Sequence, residues 1–463
     1  MSSQGKRTRP STAKRRTSVK DKKSASPQGS STSSIFMKAY ETLIDDEAII
    51  EAGARLGVVQ RQRKIDLTAL VEATITSLSP MPGAQTNALV EYLALTGEEL
   101  APSSFYDRFT DPFATLMREL ADKAVRAVRE AESTGDLARD LGVLLKEFHD
   151  VRVADSTSQV LKKLAKAWAP STSKVRPAAF KFHTVISLRD DLPLHSEIGA
   201  QRAHDNRAFP ESTMEPGTLS LFDLGYIDVE RFIDAIERGA YFLTRLKKSH
   251  NPTIHRIHIG KGSRVDARGM PLDDAIKDQI LLADHGVIDI DVRLVVRGKE
   301  AIARVVAIID KESNDFHWYI TSVDRNTLDA FDVAEAYRLR WVIELLFKQL
   351  KSGGGLDMIL AWRESAVRAL VYAKVVALCL ARLLELSAAS SGDDALRTRL
   401  AMMLVLTRSV PLLLSHSLMR RGVTIQQMEE RILLIARIAA KSRNRRRERA
   451  RIKRERELGC HNP

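Results

Sequence analysis

Residues 337–351 read YRLRWVIELLFKQLK, from Tyr337 to Lys351. Wound as one α-helix at about 100° per residue, Tyr337, Arg340, Glu344 and Lys351 fall within about 60° of one another. Leu339, Val342, Ile343, Leu346 and Leu350 lie on the opposite side. The pattern predicts a helix with a buried apolar back and a front of four different polar side chains. Taken alone, it also fits a surface helix carrying Arg340–Glu344 and Glu344–Lys348 pairs at i,i+4 spacing, which are common on solvated faces.

The chain before this stretch alternates strands and helices. Val151 and Val153 make a short strand predicted to end at Asp155, Phe180–Leu188 alternates as a second, and Leu219–Phe222 ends at Asp223. LGYIDVERFIDAIERG then forms an amphipathic helix that Gly239 stops, and Tyr241–Leu246 is again a strand. This is a mixed α/β pattern, and ligands of such sheets gather at strand ends, where both aspartates lie. Residues 250–325 interrupt it with Ile254–Ile259, Val287–Val296, Ala303–Ile309 and Phe316–Val323, read as an inserted antiparallel β subdomain. Within it, Asp289 and Asp291 read as a solvated strand face, and His255 and His258, three apart, point to opposite faces. Asp228 suits a helix start, Asp190–Asp191 a turn, and Gly353–Gly355 a helix stop.

Further out, residues 36–145 are predicted helical. The piece from Gln85 to Phe109 has the size of a helix-turn-helix whose second helix is capped by Ser103 or Ser104, with Tyr106 and Arg108 also facing outward. Residues 365–440 read as apolar helices that buttress the core. Ala369–Leu386 carries Lys374 and Arg382, which marks it as a buried helix and not a membrane span. The expected division is a disordered basic tail over 1–35, a helical DNA-binding domain over 36–145, the α/β core over 146–390, a helical region over 391–440 and a basic tail over 441–463.

The formal net charge is +13. Residues 1–34 hold nine Lys/Arg against one Asp, and residues 441–463 hold ten against three Glu, so the body between is near neutral. Cationic arms at both ends suit a phosphate polymer. Two cysteines, Cys379 and Cys460, exclude a zinc cluster or a disulfide framework and fit a reducing compartment. The N-terminus lacks the apolar run of a signal peptide, so a cytoplasmic, DNA-associated location is expected.

Asp155, Asp223 and Glu344 are the carboxylates to bring together. Three anionic oxygen donors suit Mg2+ or Mn2+, and two such ions about 4 Å apart assist phosphodiester displacement. Tyr337, Arg340 and Lys351, on the stripe with Glu344, are placed to hold phosphates.

Tyr337-x2-Arg340-x3-Glu344-x6-Lys351 resembles the Tyr-Arg-Glu-Lys signature of DDE insertion-sequence transposases, with Asp155 in VADST and Asp223 in LFDLGY similar to the two preceding acids. The resemblance covers roughly residues 140–390. It implies an RNase H-like mixed-sheet core with a β insertion, and Asp155, Asp223 and Glu344 as ligands of two Mg2+ ions. It further implies Tyr337, Arg340 and Lys351 as contacts to the transposon-end strand, and Trp318 stacking on a flipped base. The implied partners are double-stranded DNA, as transposon ends and target, and a second protomer or more in a synaptic complex. The implied reaction is cleavage at terminal inverted repeats and joining of 3′-hydroxyls to target DNA. One departure is Leu-Gly-Tyr after Asp223, where some members carry Arg and Glu. A non-catalytic DNA-binding protein and a hydrolytic nuclease on the same fold are the alternatives.

Overall fold

Val151, Val153 and Ala154 are buried, and around them Asp150–Val160 forms the central strand β1. The computed structural model describes residues 35–431 apart from 60–64, 79–83, 132–145, 191, 248, 263–266, 280, 311–312, 353, 391–398, 425 and 428–429. The basic stretches expected over 1–34 and 441–463 lie outside the described residues, as does Gly353.

β1 is followed by β2 (Ala179–Ser187), β3 (Leu192–Ala200), β4 (Thr218–Phe222) and β5 (Tyr241–Arg245). β6 (Thr253–Ile259), β9 (Val287–Val296), β10 (Lys299–Ile309) and β11 (Phe316–Thr321) come from the insertion, with β7 (Lys261–Gly262) and β8 (Leu281–Leu282) as a separate ribbon. The main sheet has nine strands in the order β3-β2-β1-β4-β5-β11-β10-β9-β6. β2 runs antiparallel to β1 and β3, whereas β1, β4 and β5 are parallel. That half is the RNase H-like core the sequence led us to expect. The insertion strands are antiparallel as expected, but they are not a separate layer: β11 pairs with β5 and extends the core sheet.

The two faces of the sheet differ by strand alternation. On the front, Val151, Val153, Leu219, Leu221, Leu243 and Tyr319 share one continuous core with the helices. Those helices are α1 (Ile35–Leu43), α2 (Asp46–Leu56), α3 (Leu67–Thr76), α4 (Ala84–Thr96), α5 (Pro102–Tyr106) and α6 (Asp111–Ala131) before the sheet. On the back, Ala154, Val185, Phe222, Phe242 and Ile320 pack under α7 (Val229–Glu237) and the crossing segment that carries Phe209 and Met214. Asp228 caps α7 through the Glu230 and Arg231 amides, as its helix-start position implied. A short α8 (Leu272–Lys277) sits in the insertion, and α9 (Ala330–Arg338) and α10 (Val342–Ser352) lead to α11 (Glu364–Ser390) and α12 (Arg399–Arg420). α11 is the strut of the helical layer; Cys379 is buried in it, its thiol pushed up to about 12 by burial, and Lys374 donates to the Ser77 carbonyl at 2.6 Å. No described helix is long and apolar enough to cross a membrane.

Three local expectations are corrected. The second helix after Gln85 is the five-residue α5, begun by Pro102 with Ala101 at its N-cap and no side-chain cap, so Ser103 and Ser104 lie inside a single turn. Proline at the first helical position, where its missing N–H costs nothing, explains that start. Asp155 is not at a strand end, because β1 runs on to Val160 against β2. Asp289 is not solvated: it is fully buried, bound by Arg304 Nη2 at 2.7 Å and Arg325 Nη2 at 2.7 Å. Both partners lie far from it in sequence, and periodicity does not reveal them. Arg304 also donates to the Leu328 carbonyl at 2.6 Å, which ties the return from the insertion to the start of α9. Breaking this buried pair leaves an uncompensated charge, so Asp289→Ala is expected to lower stability by about 3–5 kcal/mol, read as a fall in urea midpoint.

Candidate active site

The parallel β1–β4 ladder ends at Ala154 opposite Phe222. One register step further stand Asp155 and Asp223, on adjacent strands about 4.8 Å apart. Ala154 and Phe222 face the back core, so by alternation both aspartates face the front. Asp155 Oδ1 accepts the Ser156 N–H at 2.7 Å, and its Oδ2 accepts Arg340 Nη1 at 2.9 Å. Burial raises the Asp155 carboxyl to about 6, against the lowering pull of the Ser156 amide and Arg340; the charges of Asp223 and Glu344 raise it further. The three carboxylates expected to converge therefore act on one another, through Asp155.

The third acid arrives on α10. Asp329 opens α9 with a reciprocal capping box to Asp332. The single helix expected over Tyr337–Lys351 is broken: α9 ends at Arg338, Leu339–Trp341 is a turn of 3-10 helix, and α10 follows. The tighter turn re-phases the two helices. It lets Tyr337 sink to 5% exposure, its ring centroid 5.4 Å from that of Tyr319. The Arg245 and Arg340 guanidinium carbons stand 5.9 and 6.0 Å from the Tyr337 ring centroid, near the limit for cation–π attraction. Burial pushes the Tyr337 hydroxyl up to about 12, so it is a neutral donor.

Arg340 Nη2 also binds Glu344 Oε1 at 3.1 Å, so one guanidinium spans the first and third acids. Glu344 keeps 44% of its side chain exposed, compared with 16% for Asp155. Behind it, Ile343, Leu346 and Leu350 are buried in the front core, as the apolar stripe predicted, and Phe347 meets Phe182 of β2 edge-on. Lys351, half-buried, lies two turns beyond Glu344 on the same helix. Glu335, by contrast, pairs with Arg338 at the surface. A cavity of about 650 Å3 opens beside the acids, lined by Asp223, Arg245, Tyr319, Tyr337, Arg340 and Trp341.

Among the described residues no three acidic, histidine or cysteine side chains are closed into a ready-made metal cage. The donor set nonetheless fits hard divalent cations. All three donors are carboxylate oxygens, and burial together with mutual repulsion already disfavours charge on Asp155. Trp318 is not brought to this group: it is half-buried against the back core, while its neighbour Tyr319 faces the front. His255 and His258 do not share a ligand either; His258 Nε2 pairs with Asp291 at 2.7 Å. Sequence reading missed Arg245 and Tyr319. Arg245 ends a strand parallel to β4, so the strand-end rule that singled out Asp223 applied to it as well.

The transposase DDE domain family matches residues 146–380, just over half of the 463 residues. The transposase for insertion sequence element IS231F of Bacillus thuringiensis subsp. israelensis is 22% identical over 381 residues, covering 74% of this chain and 78% of that one. The transposase for insertion sequence element IS231B of Bacillus thuringiensis subsp. berliner is 22% identical over 374 residues, covering 71% and 75%. A solved piggyBac transposase synaptic complex with hairpin DNA aligns over 86% of this chain and 85% of that chain, at 11% identity and a TM-score of 0.43.

The back of α10 holds its front still. Leu346→Ala is expected to cost about 2–5 kcal/mol, measured by denaturant unfolding; a cost below about 1 kcal/mol would mean that α10 is not seated by that face.

Proposed function

The chain belongs to the transposase DDE domain family, and on that premise we propose that it moves an insertion sequence: it binds the element's terminal inverted repeats, hydrolyses the phosphodiester bond at each end with Mg2+, and joins the freed 3′-hydroxyls to target DNA. The observation that carries this reading is the convergence at the front of the sheet. Asp155 and Asp223 stand side by side one step beyond the β1–β4 ladder, with Glu344 joined to Asp155 through Arg340.

In this reading Asp155, Asp223 and Glu344 hold two divalent cations. Cations bound there supply activation of the attacking oxygen and stabilisation of the leaving one. The chain's own residues do the rest. Arg340 presents a forked donor to a phosphate, and Arg245 and Lys351 add positive charge. The Tyr337 hydroxyl, held protonated by burial, donates to a phosphate oxygen. The buried back of α10 fixes Glu344, β1 fixes Asp155 and the end of β4 fixes Asp223, so the acids approach the bond with little reorganisation. The helices of residues 36–145 and the basic ends add contacts to the DNA backbone, and two protomers or more bring the two ends together.

The test is end-containing double-stranded DNA with Mg2+ and a target plasmid. The wild-type protein is expected to give end cleavage and joined products. Asp155→Asn, Asp223→Asn and Glu344→Gln should each fall to background while still binding the ends, and chelation of Mg2+ should do the same. An active Glu344→Gln would remove Glu344 from the ligand set, and cleavage without joining would make the protein a nuclease. Lys351→Ala should reduce the salt dependence of end binding by about one unit of slope, whereas a charge that touches no phosphate leaves the slope unchanged.

A further inference from the structure

Directly behind the acids lies a second polar cluster that the proposed reaction does not use. Alternation puts Ser156 on the opposite face from Asp155. Cross-strand pairing puts His183, opposite Ser156, and Lys181, opposite Ser158, on that same back face. The segment leaving β3 crosses this face on its way to β4, and its first turn, Asp205–Ala208, sets Asp205 there. Asp205 Oδ1 accepts from Lys181 Nζ at 2.7 Å and from Ser156 Oγ at 3.2 Å, and lies 3.6 Å from His183 Nδ1. Its Oδ2 rests against Gly225, where a Cβ would stand only 2.8 Å away. Tyr226, in the same turn as Gly225, hydrogen-bonds His183 Nδ1 at 3.0 Å and is 2% exposed.

Ser156 follows the first acid by one residue, and Gly225 follows the second by two. One carboxylate thus stands behind both acids, against β1 beside Asp155 and against the turn that follows Asp223. Its charge is also required: the Lys181 side chain is only 13% exposed, and its ammonium lies behind carboxylates that must attract cations. His183 adds no charge, because burial lowers it to about 4.

The geometry points to Asp205 as a positioning residue of this site: held by Ser156 on β1 and seated against Gly225 after β4, it fixes the spacing of Asp155 and Asp223 and cancels the charge of Lys181. This rests on the reading of Asp155 and Asp223 as cation ligands. Asp205 itself faces away from them and touches no substrate.

The test is a titration of the full-length protein with Mn2+ alone, following free Mn2+ by electron paramagnetic resonance, with thermal unfolding in parallel. Asp205→Asn preserves shape and removes charge. It is expected to weaken Mn2+ binding about tenfold, the scale of an outer partner of a metal ligand, and, because Lys181 is left unpaired, to lower the thermal midpoint as well. Ser156→Ala should weaken binding in the same direction. The double variant should be no weaker than the stronger single, because both act through one contact. A lowered thermal midpoint with wild-type Mn2+ affinity would make Asp205 merely structural and overturn the proposal. Wild-type affinity in Asp205→Asn alongside lost binding in Asp155→Asn would do so too, and leave the ligand reading intact. Undiminished Mn2+ binding by Asp155→Asn would overturn the ligand reading and this inference with it.

Discussion

The structure depends on a parallel pairing that stops one residue early. While β1 and β4 are hydrogen-bonded in register, Val151, Val153, Leu219 and Leu221 enter the front core and Ala154 and Phe222 the back one; at the first step past Ala154 and Phe222, each chain turns out an aspartate. Two carboxylates are thereby placed side by side on one face by the sheet itself. Such a placement is electrostatically costly: burial raises the Asp155 carboxyl, and the neighbouring charges of Asp223 and Glu344 raise it further. Arg340 offsets part of it by spanning Asp155 and Glu344. The remaining excess of negative charge, carried by carboxylate oxygens, suits hard cations.

That constraint explains the role of parts far from the acids. The insertion strands extend the core sheet through β11 and β5, so the insertion and the acids share one rigid surface. The Asp289–Arg304 pair locks that extension and, through the Leu328 carbonyl, sets where α9 begins. α9 and the turn after it bury Tyr337 against Tyr319 and deliver Arg340, with Glu344 beyond it, to Asp155. The path from the buried ion pair to the third acid is therefore one hydrogen bond, to the Leu328 carbonyl, followed by the chain of α9 and α10.

Much of this was legible in the sequence. The apolar stripe of α10, the strand that ends before Asp223, the Asp228 cap and the antiparallel insertion all follow from periodicity and capping chemistry. What was hidden depends on partners remote in the chain. The second half of β1, Ser156–Val160, is polar and reads as loop, yet it is a strand because β2 pairs with it. β3 carries Pro193 and alternates poorly, as an edge strand can. The break at Leu339–Trp341 has no proline or glycine to announce it; burial of Tyr337 accompanies it. Asp289 alternates like a solvated residue and is buried because two arginines meet it. Asp205 lies in a crossing segment with no period, and only the fold shows what it stands behind.

The central claim is that carboxylates from β1, β4 and α10 together hold the cations of the reaction. Anomalous scattering from Mn2+ in crystals of the protein with bound end DNA tests it most directly. The expected result is manganese density ligated by Asp155 and shared with Asp223 and Glu344, beside a phosphate gripped by Arg340. Manganese bound elsewhere, with Arg340 still spanning Asp155 and Glu344 in the DNA complex, would contradict it.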